Sequence, residues 1–308
     1  MKFNRYLKNC REQYHLTQEQ LVQELYNYDS IFLGLDISTL SRWERGLTRP
    51  SVERQIKIIY LFSTFSNSVL SCFDNMNKDD VENELCKIAV KNLVGSSKEH
   101  ILNFPSRSFR VDDILIKHAR SGDDMDKALR IPFSIIENLT GNTYNLDFET
   151  LKSWALNPSN LFLISEYKGE FHGMLFTLRV KPEVFEQIID FEKEIADISD
   201  DDFADFDELG CNLPMAFFAF NDKSSTLLIL RYYAHLIANQ NSIQSIGTTP
   251  LLDGAKKILQ KMNLKFYKDK VVKDGTISSY RASLKEVLIN ERVLKMLFQK
   301  QECPEDDS

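Results

Sequence analysis

The stretch "DISTLSRWERGLTRPS", residues 36–51, determines the fold of the N-terminal part of the chain. Asp36 is a residue type that caps helix N-termini, and Gly46 is the type that most often follows a helix C-terminus. A short helix is therefore predicted between them. Leu40 and Trp43 share one face of this helix and are expected to pack inward.

The same stretch carries three arginines, Arg42, Arg45 and Arg49, in a chain whose net charge is −7. Residues 1–70 contain nine basic and seven acidic residues, so the acidic excess lies further along the chain. Such an asymmetry indicates two modules with different partners. Because the planar guanidinium group can bind guanine or phosphate through two hydrogen bonds, arginines on the outer face of a short helix favour a nucleic-acid surface.

The flanking sequence predicts further short helices. Thr17 followed by Gln20 forms a capping-box pattern, and Pro50 with Ser51 begins another apolar-periodic segment. Residues 1–70 are therefore predicted to be an all-α domain. A helix-turn-helix protein lays its second helix in the major groove, and the helix after Asp36 suits that position.

Two strings, "LTQEQL" at 16–21 and "STLSRWERGLTRPS" at 38–51, resemble the Cro/repressor-type (XRE) helix-turn-helix family over about residues 3–65. The resemblance implies double-stranded DNA as a partner. Gln18 would contact a phosphate, Ile37, Ser38 and Arg42 would lie at base-reading positions, and Arg45 and Arg49 would meet the backbone. The resemblance and the outer face of the predicted helix together give seven candidate DNA-binding residues. They are Gln18, Ile37, Ser38, Ser41, Arg42, Arg45 and Arg49.

The segment "YNYDSIFLGLD" is longer than the family's usual turn. Either the first helix of the motif is extended or the turn contains an excursion. Two other interpretations of the N-terminal domain stay open. Its charges could be merely solvated, or the same fold could bind a protein.

From Phe109 onward, strand-like and helical segments alternate, with a hairpin turn predicted at Lys168-Gly169. The strings "LFLISEYKGEFHGMLFTL" (161–178) and "IGTTPLLDGAKKILQKMNLKFYK" (246–268) resemble the GNAT N-acetyltransferase superfamily over about 109–285. The expected fold is therefore multidomain, an all-α helix-turn-helix domain followed by an α/β GNAT-like domain with a central mixed sheet. The helix-turn-helix domain is predicted to span residues 1–70, followed by a helical linker at 71–108. The GNAT-like domain is predicted to span 109–292, with an acidic insertion at 186–210. The remaining residues, 293–308, are predicted to form a C-terminal tail.

The acetyltransferase resemblance implies a glycine-rich loop that holds the pyrophosphate of acyl-CoA at a helix N-terminus. At that place the chain reads "FNDKSSTLLIL", without glycine. The candidate ligand loop is Asn221, Lys223, Ser224, Ser225 and Thr226. The family's tyrosine acid aligns with Leu259, and a leucine cannot donate a proton. We therefore predict no catalytic residue and no cofactor, with acyl-CoA binding kept as the alternative.

The segment 190–208 holds ten acidic residues and one lysine, interleaved with apolar residues such as Ile198, Phe203 and Phe206. The segment lacks the spacing of a calcium-binding loop. It is interpreted as a solvated face. The alternative is a segment that docks on a basic surface, including the chain's own N-terminal domain.

The five cysteines are scattered without metal-ligand spacing, and no apolar run reaches the roughly 20 residues that span a bilayer. We expect no metal site and no membrane association, and a cytoplasmic protein with reduced thiols.

The main functional expectation is a sequence-specific transcriptional regulator. It would be a homodimer whose GNAT-like domain serves as a sensor of a small molecule or protein, as a dimerisation module or as an interaction module. The alternatives are an acyl-CoA-dependent N-acyltransferase with a DNA-targeting domain, and a protein-interaction adaptor such as an antitoxin.

Overall fold

The computed structural model forms two compact units. The first comprises residues 1–97, 233–240 and 288–308, and the second comprises 98–232 and 241–287. Two late segments of the chain thus fold with the N-terminal helices. The residues that the structure describes are 2–66, 68–73, 77–89, 113–119, 125–131, 134, 146–250, 253–272 and 275–298.

Six helices of the first unit are described. They are α1 (Phe3–Gln13), α2 (Gln18–Tyr28), α3 (Ile37–Arg45), α4 (Val52–Phe62), α5 (Lys78–Ala89) and α11 (Glu291–Leu297). The capping box of Thr17 and Gln20 is present at α2, as predicted. The side chains of Asp36 and Ser51 cap α3 and α4. The N-terminal region is therefore all-helical, as the sequence predicted.

The core of the first unit is built around aromatic rings. Tyr6 is fully buried and lies 6.3 Å from Phe62 and 5.4 Å from Phe298, between ring centroids. Gln240 binds both backbone groups of Leu70, accepting from its N–H at 2.7 Å and donating to its carbonyl at 3.1 Å. These contacts join residues far apart in sequence.

The start of the predicted C-terminal tail differs from the expectation. Residues 293–298 lie in or directly after α11, and their apolar side chains are buried in the first unit. Asn290 caps this helix by accepting from Arg292 and Val293. Burial of these apolar side chains offsets the conformational entropy that the segment loses when it becomes ordered. Residues 299–308 lie outside the described part of the chain.

The second unit contains a seven-stranded mixed sheet with helices, as predicted for the GNAT-like domain. The strand order is β1-β2-β3-β4-β5-β7-β6. The pair β4–β5 is parallel, and the other pairs are antiparallel. The strands are β1 (Ile114–His118), β2 (Leu161–Tyr167), β3 (Glu170–Val180), β4 (Gly210–Ala219), β5 (Ile243–Thr248), β6 (Lys265–Val272) and β7 (Gly275–Ser283).

The hairpin turn predicted between β2 and β3 is confirmed. Lys168 and Gly169 have φ angles of 53° and 80°, the two positive values that a tight hairpin turn requires. The helices described around the sheet are α6 (Phe148–Leu156), α7 (Pro182–Ile189), α8 (Asp222–Ala238), α9 (Asp253–Lys261) and α10 (Leu284–Leu288). Residues 125–131 are also helical. The sequence segment "DKALRIPFSIIENL" (126–139) predicts a helix, and residues 132, 133 and 135–139 of it lie outside the described part of the chain, as do residues 90–108 of the predicted linker.

The acidic insertion is folded onto its own unit. Phe203 forms an isolated β-bridge with Val180, and both Phe203 and Ile198 are buried. Lys193 pairs with Asp202 at 2.7 Å. The idea that Ile198 and Phe203 dock on another surface is therefore wrong, since burial in the local core already uses them. Phe206 is exposed.

Candidate functional site

Helix α3 presents one buried and one exposed face. The Asp36 carboxylate accepts a hydrogen bond from the Thr39 backbone N–H at 2.6 Å, and this bond lowers the pKa of Asp36. Gly46 ends the helix in the left-handed conformation, with a φ of 75°. Leu40 and Trp43 are buried, as the spacing predicted.

Four of the seven predicted DNA-binding residues are exposed on α3, and Ser41 is half-buried there. The exposed four are Ile37, Ser38, Arg42 and Arg45. The Arg45 Nε donates to the Ser41 carbonyl one turn earlier, at 3.3 Å. The structure thus brings these five residues together on one helix face.

The other two predicted residues have protein partners. Gln18 donates from its amide nitrogen to Glu44 at 2.7 Å. Arg49 donates to the side-chain oxygen of Gln55 at 3.1 Å, and partial burial lowers its pKa. Their predicted phosphate contacts stay predictions.

Glu44 is the residue of this region that the sequence analysis did not assign to the site. It is buried, and its two carboxylate oxygens accept from Arg11 at 2.6 and 3.1 Å. This hydrogen bond raises the pKa of Arg11. Together with the Gln18 bond, the pair ties α3 to α1 and α2, so Glu44 fixes the position of the exposed face.

In the second unit, strand β4 extends beyond the end of its parallel neighbour β5. Their β-pairing comprises Gly210 with Ile243 and Asn212 with Ile246. Thr248, the last residue of β5, still lies beside β4, and its hydroxyl donates to the Pro214 carbonyl at 2.8 Å. Within residues 210–248, all of which are described, β4 continues to Ala219 with β3 on one side and no paired strand on the other. We use the name β4–β5 cleft for the place beside residues 215–219 of β4, beyond the last residue of β5.

The candidate ligand loop lies directly after β4 but is not a loop. Asn221 is buried, accepts from the Ser224 backbone N–H at 2.8 Å, and lies 3.1 Å from a ring nitrogen of His172. Lys223 to Thr226 form the first turn of α8. Ser224 and Ser225 are fully buried, and their hydroxyl groups have no hydrogen-bond partner among the described residues. The place is therefore a capped helix N-terminus.

Aromatic rings gather at the same end of β4. Phe220 packs edge-to-face on Phe218, with 4.8 Å between centroids, and on Phe171 at 6.1 Å. His172 lies 6.2 Å from Phe220. The apolar stretch "LPMAFFAFN" (213–221) predicted a strand, but only the β3–β4 pairing shows that these rings meet.

The sequence resemblance aligns Leu259 with the family's tyrosine and Asn263 with a glycine of the same pattern, and the two residues lie in and just after α9. Leu259 is buried, and Asn263 has a φ of 65°, the backbone conformation that a glycine would adopt easily. Tyr280 of β7 pairs with Thr248, the last residue of β5, and its ring lies 6.1 Å from that of Phe266. Tyr267 is exposed on the edge strand β6. Tyr280 is therefore the one of these two tyrosines that pairs with the end of β5.

The described residues contain no group of three or more histidine, cysteine, aspartate or glutamate residues arranged to hold a metal ion. Among them there is also no helix of the length and apolarity that would cross a membrane.

No protein-family model and no curated protein matches the chain. Several solved structures are similar to about half of it. FeeM, an N-acyl amino acid synthase from uncultured soil microbes, is 11% identical, with a TM-score of 0.41 over 56% of this chain and 92% of its own. A ribosomal-protein-alanine N-acetyltransferase from Brucella melitensis is 16% identical, with a TM-score of 0.37 over 55% and 99%. The protein yncA from Salmonella typhimurium, solved with its cofactor acetyl-CoA, is 13% identical, with a TM-score of 0.36 over 56% and 94%.

Proposed function

We propose that the chain is an acyl-CoA-dependent N-acyltransferase that carries a DNA-targeting domain. The observation that supports this proposal is that β4 continues to Ala219, beyond the end of its pairing with β5. Backbone N–H and C=O groups need hydrogen-bond partners, and an open strand edge supplies them to an extended ligand. The pantetheine arm of CoA is an extended chain with two amide groups, so it can bond to the open edge of β4.

The helix N-terminus after β4 suits the other end of the ligand. Helix α8 is 17 residues long, and its N-terminal end carries partial positive charge that favours phosphate. Lys223 lies in its first turn. Asp222 opposes an anion, so this site would bind a pyrophosphate less tightly than a glycine-rich loop does.

The transfer itself requires a proton donor. A neutral amine nitrogen attacks the thioester carbonyl, a C–N bond forms and the C–S bond breaks. The amine nitrogen loses one proton and the leaving thiolate gains one, so the reaction gives an amide and a thiol. Leu259 cannot supply that proton. A tyrosine hydroxyl can do so, and we assign this role to Tyr280, which pairs with the last residue of β5.

The test uses the full chain and a pair of tyrosine variants. Tyr280→Phe should bind acetyl-CoA as the natural chain does but release thiol at least about 100-fold more slowly, the usual contribution of a positioned acid. Tyr267→Phe is the matched control and should change neither quantity. Equal thiol release by both variants and the natural chain would remove Tyr280 from the mechanism.

We also propose that the first unit binds double-stranded DNA through α3, as one half of a homodimer. In support, Ile37, Ser38 and Arg42 are exposed on a helix whose other face is buried. Arg42→Ala should lose one base preference with stability kept. Arg45→Ala should weaken binding to all sequences alike. The slope of log affinity against log salt concentration should fall in magnitude by about the amount that one phosphate contact contributes. Identical sequence profiles for Arg42→Ala and the natural chain would count against this proposal.

A second candidate is a transcriptional regulator whose second unit binds acyl-CoA without transferring the acyl group. The buried Leu259 at the family's tyrosine position favours it. The two candidates differ in turnover alone. Saturable acyl-CoA binding that changes DNA affinity, with no thiol release in the presence of any amine, would support the regulator.

A further inference from the structure

The turn between α2 and α3, residues 29–36, has a defined structure of its own. Ser30–Phe32 form a 3-10 helix, and the Asp29 carboxylate accepts from the Ile31 backbone N–H at 3.0 Å. Phe32 is fully buried. The turn therefore contains the excursion that was one of the two alternatives left open by the sequence, and it is anchored by a core residue.

Helix α4 holds this turn from the other side. Lys57 pairs with the Asp29 carboxylate at 2.6 Å. The Arg54 Nε donates to the Ile31 carbonyl at 3.2 Å, and the Arg54 guanidinium lies 5.9 Å from the centre of the Trp43 ring. Because Trp43 belongs to α3, the turn is fixed to the same core as that helix.

The tip of the turn presents a leucine to solvent. The Leu35 backbone N–H donates to the Phe32 carbonyl at 2.9 Å. Leu33 has φ −57° and ψ 127°, and Gly34 has φ 78°, which together describe a type II turn with Leu33 at its corner. The Leu33 side chain is 59% exposed, and Ile37, at the start of α3, is 44% exposed.

A single exposed leucine is ordinary on a protein surface. Leu33 differs because the turn that carries it is held by a buried phenylalanine and by two side chains of α4. It also lies four residues before Ile37, the first residue of the helix that carries the exposed arginines Arg42 and Arg45. An apolar tip beside exposed cations is complementary to a groove that has both anionic phosphates and methyl groups.

We propose that Leu33 is a sequence-reading residue which, with Ile37, contacts the 5-methyl groups of thymines in the major groove. This inference rests on the proposed DNA binding of the first unit. Thymine is the base that presents a methyl group in the major groove, and apolar side chains are its usual partners. The preference of the protein for thymine at one or two positions of its site would come from the turn.

The experiment first selects binding sites for the full natural chain from random duplexes. Each thymine of the selected site is then replaced by deoxyuridine, which removes the methyl group alone. For the natural chain, we expect about fourfold weaker binding at one or two positions, the value of one buried methyl group. In Leu33→Ala, deoxyuridine should no longer weaken binding at one of these positions. In Leu33→Met, it should still do so.

Leu47→Ala is the matched control, because Leu47 is 64% exposed and follows the opposite end of α3. It should retain the full methyl response. If the natural chain selects no sequence, the proposed DNA binding fails. If it selects one and Leu33→Ala keeps the same deoxyuridine response, this inference alone is overturned. A change of oligomeric state in Leu33→Ala, measured by light scattering, would also overturn it, by showing that the tip contacts protein.

Discussion

Replacing Glu44 with alanine should destabilise the first unit by about 3 kcal/mol. The side chains of Glu44 and Arg11 are 4% and 14% exposed, and their Nε–Oε1 distance is 2.6 Å. Removing one partner of a buried ion pair costs about 3–5 kcal/mol, because the other charge stays buried. Arg11 keeps a bond to the Leu16 carbonyl at 2.8 Å and a 3.7 Å contact with Glu12, so the lower end of that range applies.

The two tryptophans of the chain make the assay specific. Trp43 is in the first unit and Trp154 in the second, so Trp43 fluorescence in a Trp154→Phe background follows urea unfolding of the first unit. The apolar double variant Arg11→Met/Glu44→Leu should recover much of the lost stability, since it leaves no charge unpaired. A loss below about 1 kcal/mol in Glu44→Ala, or a double variant no better than the single one, would refute the reasoning.

Three further predictions concern both units. Gly247→Ala should lower the unfolding free energy of the second unit by about 1–3 kcal/mol in urea denaturation, because the added methyl would lie 2.7 Å from the ring of Phe185. Asn221→Ala removes the α8 cap, and it should cost about 1 kcal/mol of stability and weaken acetyl-CoA binding in calorimetry. The Lys57 bond to Asp29 and the Thr39 bond to Asp36 lower the pKa of each carboxyl group. The stability that these carboxylates add is present above their unfolded pKa near 4 and is lost as the pH falls through the lower folded values, so the midpoint of thermal unfolding should drop as the pH falls below about 4, and less so in Asp36→Asn.

Local chemistry explains which elements could be predicted from the sequence. The Thr17 capping box, the Asp36 cap and the Lys168-Gly169 turn depend on residues within a few positions of one another. Their side-chain and backbone preferences are set by those neighbours alone. The order of strands and helices in the second unit followed from hydrophobic periodicity in the same way.

Long-range pairing explains what could not be predicted. Gln240 bonds to Leu70, and Phe298 packs on Tyr6, although each pair is far apart in sequence. No local pattern marks either partner, and so α11 was taken for part of the tail. The pairing of Tyr280 with the last residue of β5 likewise depends on the β5–β7 register, which the sequence of one strand does not specify.

The central claim is that the β4–β5 cleft binds acyl-CoA, and a calorimetric titration of the full chain tests it most directly. Acetyl-CoA and longer acyl-CoAs are titrated, with ADP as a control that has the pyrophosphate but lacks the amide chain. We predict saturable binding of the acyl-CoAs at micromolar concentrations and much weaker binding of ADP. No heat and no thermal stabilisation with any acyl-CoA would contradict the claim. Equal affinity for ADP would show that the open edge of β4 does not hold the ligand.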